Sequence, residues 1–106
     1  MIITTTPNVP GMEIVEYRGF ATGEVVAGIN FLRDMGAGLR NFFGGRSQGY
    51  EEEIIQARKE ALIELQERAA NMGANAVIGI RVDFDTLGQG GTMLLVTATG
   101  TAVVVR

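Results

Sequence analysis

The sequence predicts an α+β domain in which one long helix lies on a small sheet. Three observations predict it. The stretch from Gly44 to about Met72 breaks on glycine, opens with Glu51, Glu52 and Glu53, and runs on in helix-favouring residues until Gly73. Segments 13–27, 75–87 and 92–105 alternate in character with a period of two, the signature of strands. One parity of the first and last of these is small (Gly19, Ala21, Gly23; Ala98, Gly100, Ala102), which lets a helix lie close to the sheet. With 106 residues the chain is read as a single domain, 1–106.

Ile2 to Thr6 is a short β-prone run stopped by Pro7, and Pro10-Gly11 marks a turn. In the strand from Glu13 to about Ala27, one parity holds Val15, Tyr17, Gly19, Ala21, Gly23, Val25 and Ala27, and the other holds Glu16, Arg18, Phe20, Thr22, Glu24 and Val26. Asn30 can cap a short helix over 31–43. Ser47 and Gly49 are the candidate caps of the long helix, whose first-turn glutamates suit the positive end of the helix dipole. At 100° per residue Ile54, Ile55, Ala61, Leu62, Leu65, Ala69 and Met72 form its apolar stripe, with Arg58 near the middle. Gly73 is a suitable residue to end it. In the strand from Asn75 to Leu87, simple alternation puts Ala76, Ile78, Ile80, Val82 and Phe84 on one face and Arg81, Asp83 and Asp85 on the other. A glycine-rich hairpin connection, 87–91, leads to the last strand.

The inventory excludes much chemistry. There is no cysteine and no histidine, so disulfides, thiol redox work, imidazole acid–base catalysis and thiolate metal sites are out of reach. No nucleophile stands with a base to activate it, so the chain is not read as an enzyme. Net charge is −3 and the basic residues are scattered, which gives no nucleic-acid footprint. The opening residues lack a secretory signal and no apolar run would span a membrane, so the expected location is the cytoplasm. Yet 46% of residues are hydrophobic, more than one helix on one small sheet hides, and this predicts a homo-oligomer.

Several blocks stand in an order that resembles a known family: Gly23-Glu-Val-Val-Ala-Gly28, Arg33-Asp34, Gly44-Gly-Arg-Ser47 with Tyr50-Glu51, Ala57-Arg58, Gly73-Ala-Asn-Ala-Val77 and Gly100-Thr-Ala-Val103. Over nearly its whole length the chain resembles the YbjQ-like family of small bacterial proteins, described as heavy-metal-binding. The resemblance implies a dodecin-subunit-like fold, a three-stranded antiparallel sheet of order 1-3-2 with the helix on one face. It also implies a ring-like homopentamer. It supplies no catalytic residues.

Three groups of residues are candidates for a site. Soft metals want thiolate, thioether or imidazole, and only the scattered thioethers of Met1, Met12, Met35, Met72 and Met93 are on offer. Carboxylates remain: Glu16, Glu24, Asp83 and Asp85 share outward parities on two strands and are candidate ligands for a divalent cation such as Mg²⁺, Mn²⁺ or Ca²⁺. The plainer alternative is solvated charges, or pairs with Arg18 and Arg81. Gly44, Gly45, Arg46, Ser47 and Tyr50 could cradle an anion at the helix start, although the spacing is not that of a P-loop and the three glutamates would repel a phosphate. The alternative there is a capped turn with Arg46 at an interface. Arg58, on an apolar stripe, requires a carboxylate or carbonyls as partner, with Glu24, Asp34 and Glu51 as available carboxylates. That pair would lock helix to sheet or subunit to subunit. Besides a cation-binding ring, the pattern admits a scaffold that displays the loops around Gly44 and Gly88 to a protein partner.

Overall fold

The computed structural model of the protein describes residues 1–27, 48–87 and 93–106. In chain order these form strand β1 (Ile2–Ile3), strand β2 (Ile14–Ala27), helix α1 (Gln48–Asn71), strand β3 (Ala76–Leu87) and strand β4 (Met93–Val105). The short helix expected over 31–43 lies outside the described residues.

The expected three-stranded dodecin-type sheet is not what the chain forms. The sheet has four strands in the order β1-β3-β4-β2, and it is mixed: β2 and β3 run antiparallel to β4, while β1 runs parallel to β3. The fourth strand arises because the outer edge of β3 has backbone groups to satisfy. The Thr4 amide donates to the Val77 carbonyl at 3.0 Å, and the Ile80 and Gly79 amides donate to the Thr4 and Thr6 carbonyls. The β-prone run of five residues before Pro7 is long enough to cover that edge, which the expected three-stranded sheet left without a partner.

Helix α1 ends where Gly73 predicts. Gly73 takes a positive φ of 86°, its amide donates to Ala70 O, and the Ala74 amide reaches back to Ala69 O at 3.1 Å. This is the paired reverse bonding of a Schellman cap, which uses two carbonyls that the last turn leaves free. At the other end the helix already includes Gly49, which is therefore not its cap. The line Ala57, Ala61, Leu65 and Ala69 faces the sheet and is buried, with Leu62 and Met72 packed at its margins. Ile55 and Arg58 are exposed. The buried line falls one residue away from Arg58 because alanine, not a long side chain, fits where helix and strand backbones nearly touch.

The faces of the two outer long strands differ from simple alternation. Gly79 has φ 60°, and the register steps from Ile78↔Thr101 to Arg81↔Thr99, so one extra residue of β3 is accommodated there. Such a glycine-based bulge flips the pattern. Ala76 and Ile78 therefore pack with Val103 and Val105, while Ile80 and Val82 join Val77 on the helix side. In β2 the register shifts twice, between Ile14 and Glu16 and between Tyr17 and Gly19, and Gly19 has φ 118°. Tyr17 and Phe20, of opposite sequence parity, thus come to share the face opposite the helix, opposite Val103 and Thr101.

Two cores result. The larger lies between α1 and the sheet, around Ala21, Leu65, Val96, Ala98 and Ala102. The smaller, Ala76, Ile78, Val103 and Val105, lies on the other face and is closed by Val9 and Ile14. Asn75, in the Gly73–Val77 block, fastens the smaller core to the helix end. Its side-chain amide donates to Val105 O at 2.9 Å, and its side-chain oxygen accepts from Val105 N at 2.8 Å. With two hydrogen bonds lost, each contributing about 0.5–1.5 kcal/mol, Asn75→Ala is expected to lower stability by about 1–3 kcal/mol. Urea denaturation at fixed protein concentration would read this as a lower midpoint with an unchanged slope.

Candidate functional site

The sheet face opposite the helix carries most of the acidic candidates. Strand register fixes which ones. Glu24 pairs with Thr97 of β4, and Thr97 pairs on its other side with Asp83 of β3. The next row is Thr22, Thr99, Arg81, and the row beyond it is Phe20, Thr101, Ile78. Asp85 stands opposite Leu95, whose β2 neighbour is Val26. A ladder of threonine hydroxyls on β4 is therefore flanked by Glu24 on one side and Asp83 and Asp85 on the other. Glu16 does not join them. The bulge at Tyr17–Gly19 puts it opposite Val104, on the parity of β4 that faces the helix.

The carboxylates already have basic neighbours. Arg81 Nε lies 3.3 Å from Asp83 Oδ1. Arg68 of the helix reaches around the sheet edge, where it donates to Thr22 O at 3.0 Å, lies 3.8 Å from Glu24 and pairs with Glu64 one turn back. Glu16 is 3.2 Å from Arg18. These pairs are largely exposed, so each contributes little, on the order of 0–1 kcal/mol. Glu24 thus pairs with Arg68, a residue that sequence reasoning missed. The signal was present but faint: Arg68 sits four residues after Glu64 and near the helix end, where a cation is favoured.

Among the described residues no three acidic side chains converge on one point. Glu24 and Asp83 are separated by the full strand β4, two strand spacings or about 10 Å. In this row one chain offers two carboxylates and the Thr97 hydroxyl, fewer than the roughly six to eight oxygens that Ca²⁺ takes. The remaining candidates, Gly44, Gly45, Arg46, Ser47 and Asp34, lie outside the described residues. The Tyr50 backbone belongs to the first turn of α1.

A second feature is an open groove of about 400 Å³ on the helix side of the sheet. It exists because α1 packs over β2 and β4 and barely reaches β3. Leu62 forms one wall, Ile80 and Val82 the floor, and Ile3, Thr4 and Thr5 the far side. No described helix is long and apolar enough to cross a membrane.

Among the described residues these features define a class: a small α+β protein whose mixed four-stranded sheet is half covered by helix α1, with an oxygen-rich opposite face. The chain belongs to the YbjQ family, whose profile, described as "Putative heavy-metal-binding", matches residues 1–106. It is 59% identical over 106 residues to UPF0145 proteins of Listeria monocytogenes, Listeria innocua and Listeria welshimeri, covering all of this chain and 96% of each relative. It also resembles a crystal structure from Pediococcus pentosaceus, a protein of unknown function in the DUF74 family. There the TM-score is 0.62 with 18% identity, over all of this chain and 98% of the other. That likeness concerns the fold, and its family is DUF74 rather than dodecin.

The family description can be tested against the donors. Heavy metals that prefer sulfur or imidazole find neither cysteine nor histidine here. Met72 is packed against the main core and Met12 is exposed at a turn, so they do not form a pair of thioether ligands. The donors among the described residues do not fit a soft metal. They fit an oxygen-preferring cation only where water or a second copy completes the shell.

Proposed function

We propose that this protein is a cytoplasmic homo-oligomeric ring, a pentamer, that holds an oxygen-preferring divalent cation or small polar ligand on the sheet face opposite the helix. The observation that carries this reading is the row Glu24, Thr97, Asp83, with Asp85 one step along. It sets carboxylates and a hydroxyl side by side on a face that also exposes Phe20 and Val26. A mixed face of this kind suits contact with another copy, whose oxygens would complete a site that one chain leaves open.

Calorimetric titration of the wild-type protein with Mn²⁺ and Ca²⁺ tests it. Saturable binding is expected, and Asp83→Asn is expected to weaken it about tenfold, equivalent to about 1.4 kcal/mol. Unchanged affinity in the variant would remove Asp83 from the site.

A second reading, an interaction scaffold with no small ligand, is favoured by the arginines already seated at Glu24 and Asp83. On that reading neither cation produces saturable heat.

A further inference from the structure

We infer that the groove between α1 and β3 is the seat for Tyr17 and Phe20 of a second copy of this chain, so that copies join head to tail. The inference rests on the self-assembly reading above and specifies the surface that reading lacks. Two features at opposite edges of the sheet carry it. At the β2 edge, Tyr17 and Phe20 are 68% and 69% exposed and lie on the face away from the helix. At the β1/β3 edge, the helix leaves the other face bare, and the groove lined by Leu62, Ile80, Val82, Ile3, Thr4 and Thr5 opens there. Knob and seat are thus on opposite edges and opposite faces. A shifted copy can lay its β2 edge over the half of its neighbour's sheet that α1 does not cover, beside the neighbour's helix. The helix then covers one half of the sheet and the next copy covers the other.

The groove is apolar on its floor and helix wall, with threonines at its rim, and this suits aromatic rings that carry at most one hydroxyl. An aromatic residue buries about 150–250 Å² when fully enclosed. Two that are mostly exposed therefore provide a good part, though not all, of the roughly 800 Å² each partner contributes to a standard interface. Arg68 holds the Thr22 carbonyl further along the β2 edge, so this part of the edge is occupied and the stretch before it is the part left open to a partner. Because knob and seat are different surfaces, the contact is heterologous, and repeated with closure it makes a ring.

Native mass spectrometry of single-site variants tests this. Phe20→Lys removes the knob and Thr5→Lys obstructs the seat; both positions are exposed, and a cooperative thermal transition checks that each variant folds. Tyr17→Lys is the substitute should Phe20→Lys fail that check. Each variant alone is expected to be monomeric. Mixed one to one, they are expected to form a heterodimer and nothing larger, because one knob and one seat remain intact. Wild-type protein that assembles while both variants assemble equally well would overturn this contact and leave the ring reading standing. Variants that fall to monomers but do not pair on mixing would also overturn it. A monomeric wild-type protein would overturn both.

Discussion

Gly23→Ala is expected to destabilise the protein by about 3 kcal/mol or more, the upper end of what overpacking costs. The reason is where the new methyl group must go. A Cβ built on Gly23 falls against the Ala61 carbonyl oxygen, 2.6 Å from the Leu65 amide nitrogen and 3.1 Å from the Ala61 carbonyl carbon. All three are helix backbone atoms, which no rotamer change can move aside. Either α1 lifts from β2 along the line Ala57, Ala61, Leu65, Ala69, or it slides. Both open the larger core. Gly100→Ala is the instructive comparison. Its Cβ would meet Val77 Cγ1 at 2.6 Å, Ile80 Cγ1 at 3.1 Å and the Ile78 carbonyl at 3.1 Å. Two of those three are side-chain methyl or methylene groups that can shift, so a cost of about 1–2 kcal/mol is expected. At roughly 4–8 °C per kcal/mol for a domain near this size, Gly23→Ala should lose at least about 12 °C in Tm, well beyond Gly100→Ala. Calorimetry at one protomer concentration checks it, since assembly makes Tm concentration-dependent. A Gly23→Ala transition within a few degrees of wild type would mean that helix and strand are not in backbone contact.

That close contact was legible in the sequence, in the small residues Ala21, Gly23, Ala98 and Ala102 sharing one parity. So were the end of the helix at Gly73 and the extents of the three long strands, because each depends on local signals that a short window contains. The faces were less legible. Alternation assumes one residue per step, and the bulges at Tyr17–Gly19 and at Gly79 insert a residue without changing the apolar character of the run. Strict alternation therefore groups Glu16 with Glu24, which it does not join, and Ile80 with Ile78, from which it is separated by the thickness of the sheet. Arg58 illustrates a related limit. A helical wheel locates an apolar sector but not its centre, and when the tightest packing is made by alanines the centre moves toward them. The β-prone character of Ile2 to Thr6 was legible, but its place in the sheet was not: so short a run does not say which edge it joins, and that is decided by the unsatisfied edge of β3, some seventy-five residues away.

Deleting Gly79 is expected to cost about 3 kcal/mol or more, although substituting it is expected to be mild. No atom lies within 4 Å of a Cβ at this position, so Gly79→Ala pays only for the left-handed backbone at φ 60°, about 1–2 kcal/mol. Deletion removes the extra residue that separates two faces. Ala76 and Ile78 belong to the smaller core, and Ile80 and Val82 line the helix side with Val77. Without the bulge, strict alternation puts one of these sets on the wrong face, whichever register β3 adopts against β4. Keeping Ile78 with Val103 turns Ile80 and Val82 away from Leu62; keeping Ile80 and Val82 in place turns Ala76 and Ile78 out of the smaller core. Each large aliphatic side chain displaced forfeits about 1.5–3 kcal/mol of burial, and the bonds from the Gly79 and Ile80 amides to the Thr6 and Thr4 carbonyls are disturbed as well. Urea unfolding of the two variants separates the explanations. A deletion variant no less stable than Gly79→Ala would show that the bulge is a local irregularity. The expected result, a deletion far worse than the substitution, means that one inserted residue lets a single strand serve two cores and turns Ile80 and Val82 to the floor of the groove.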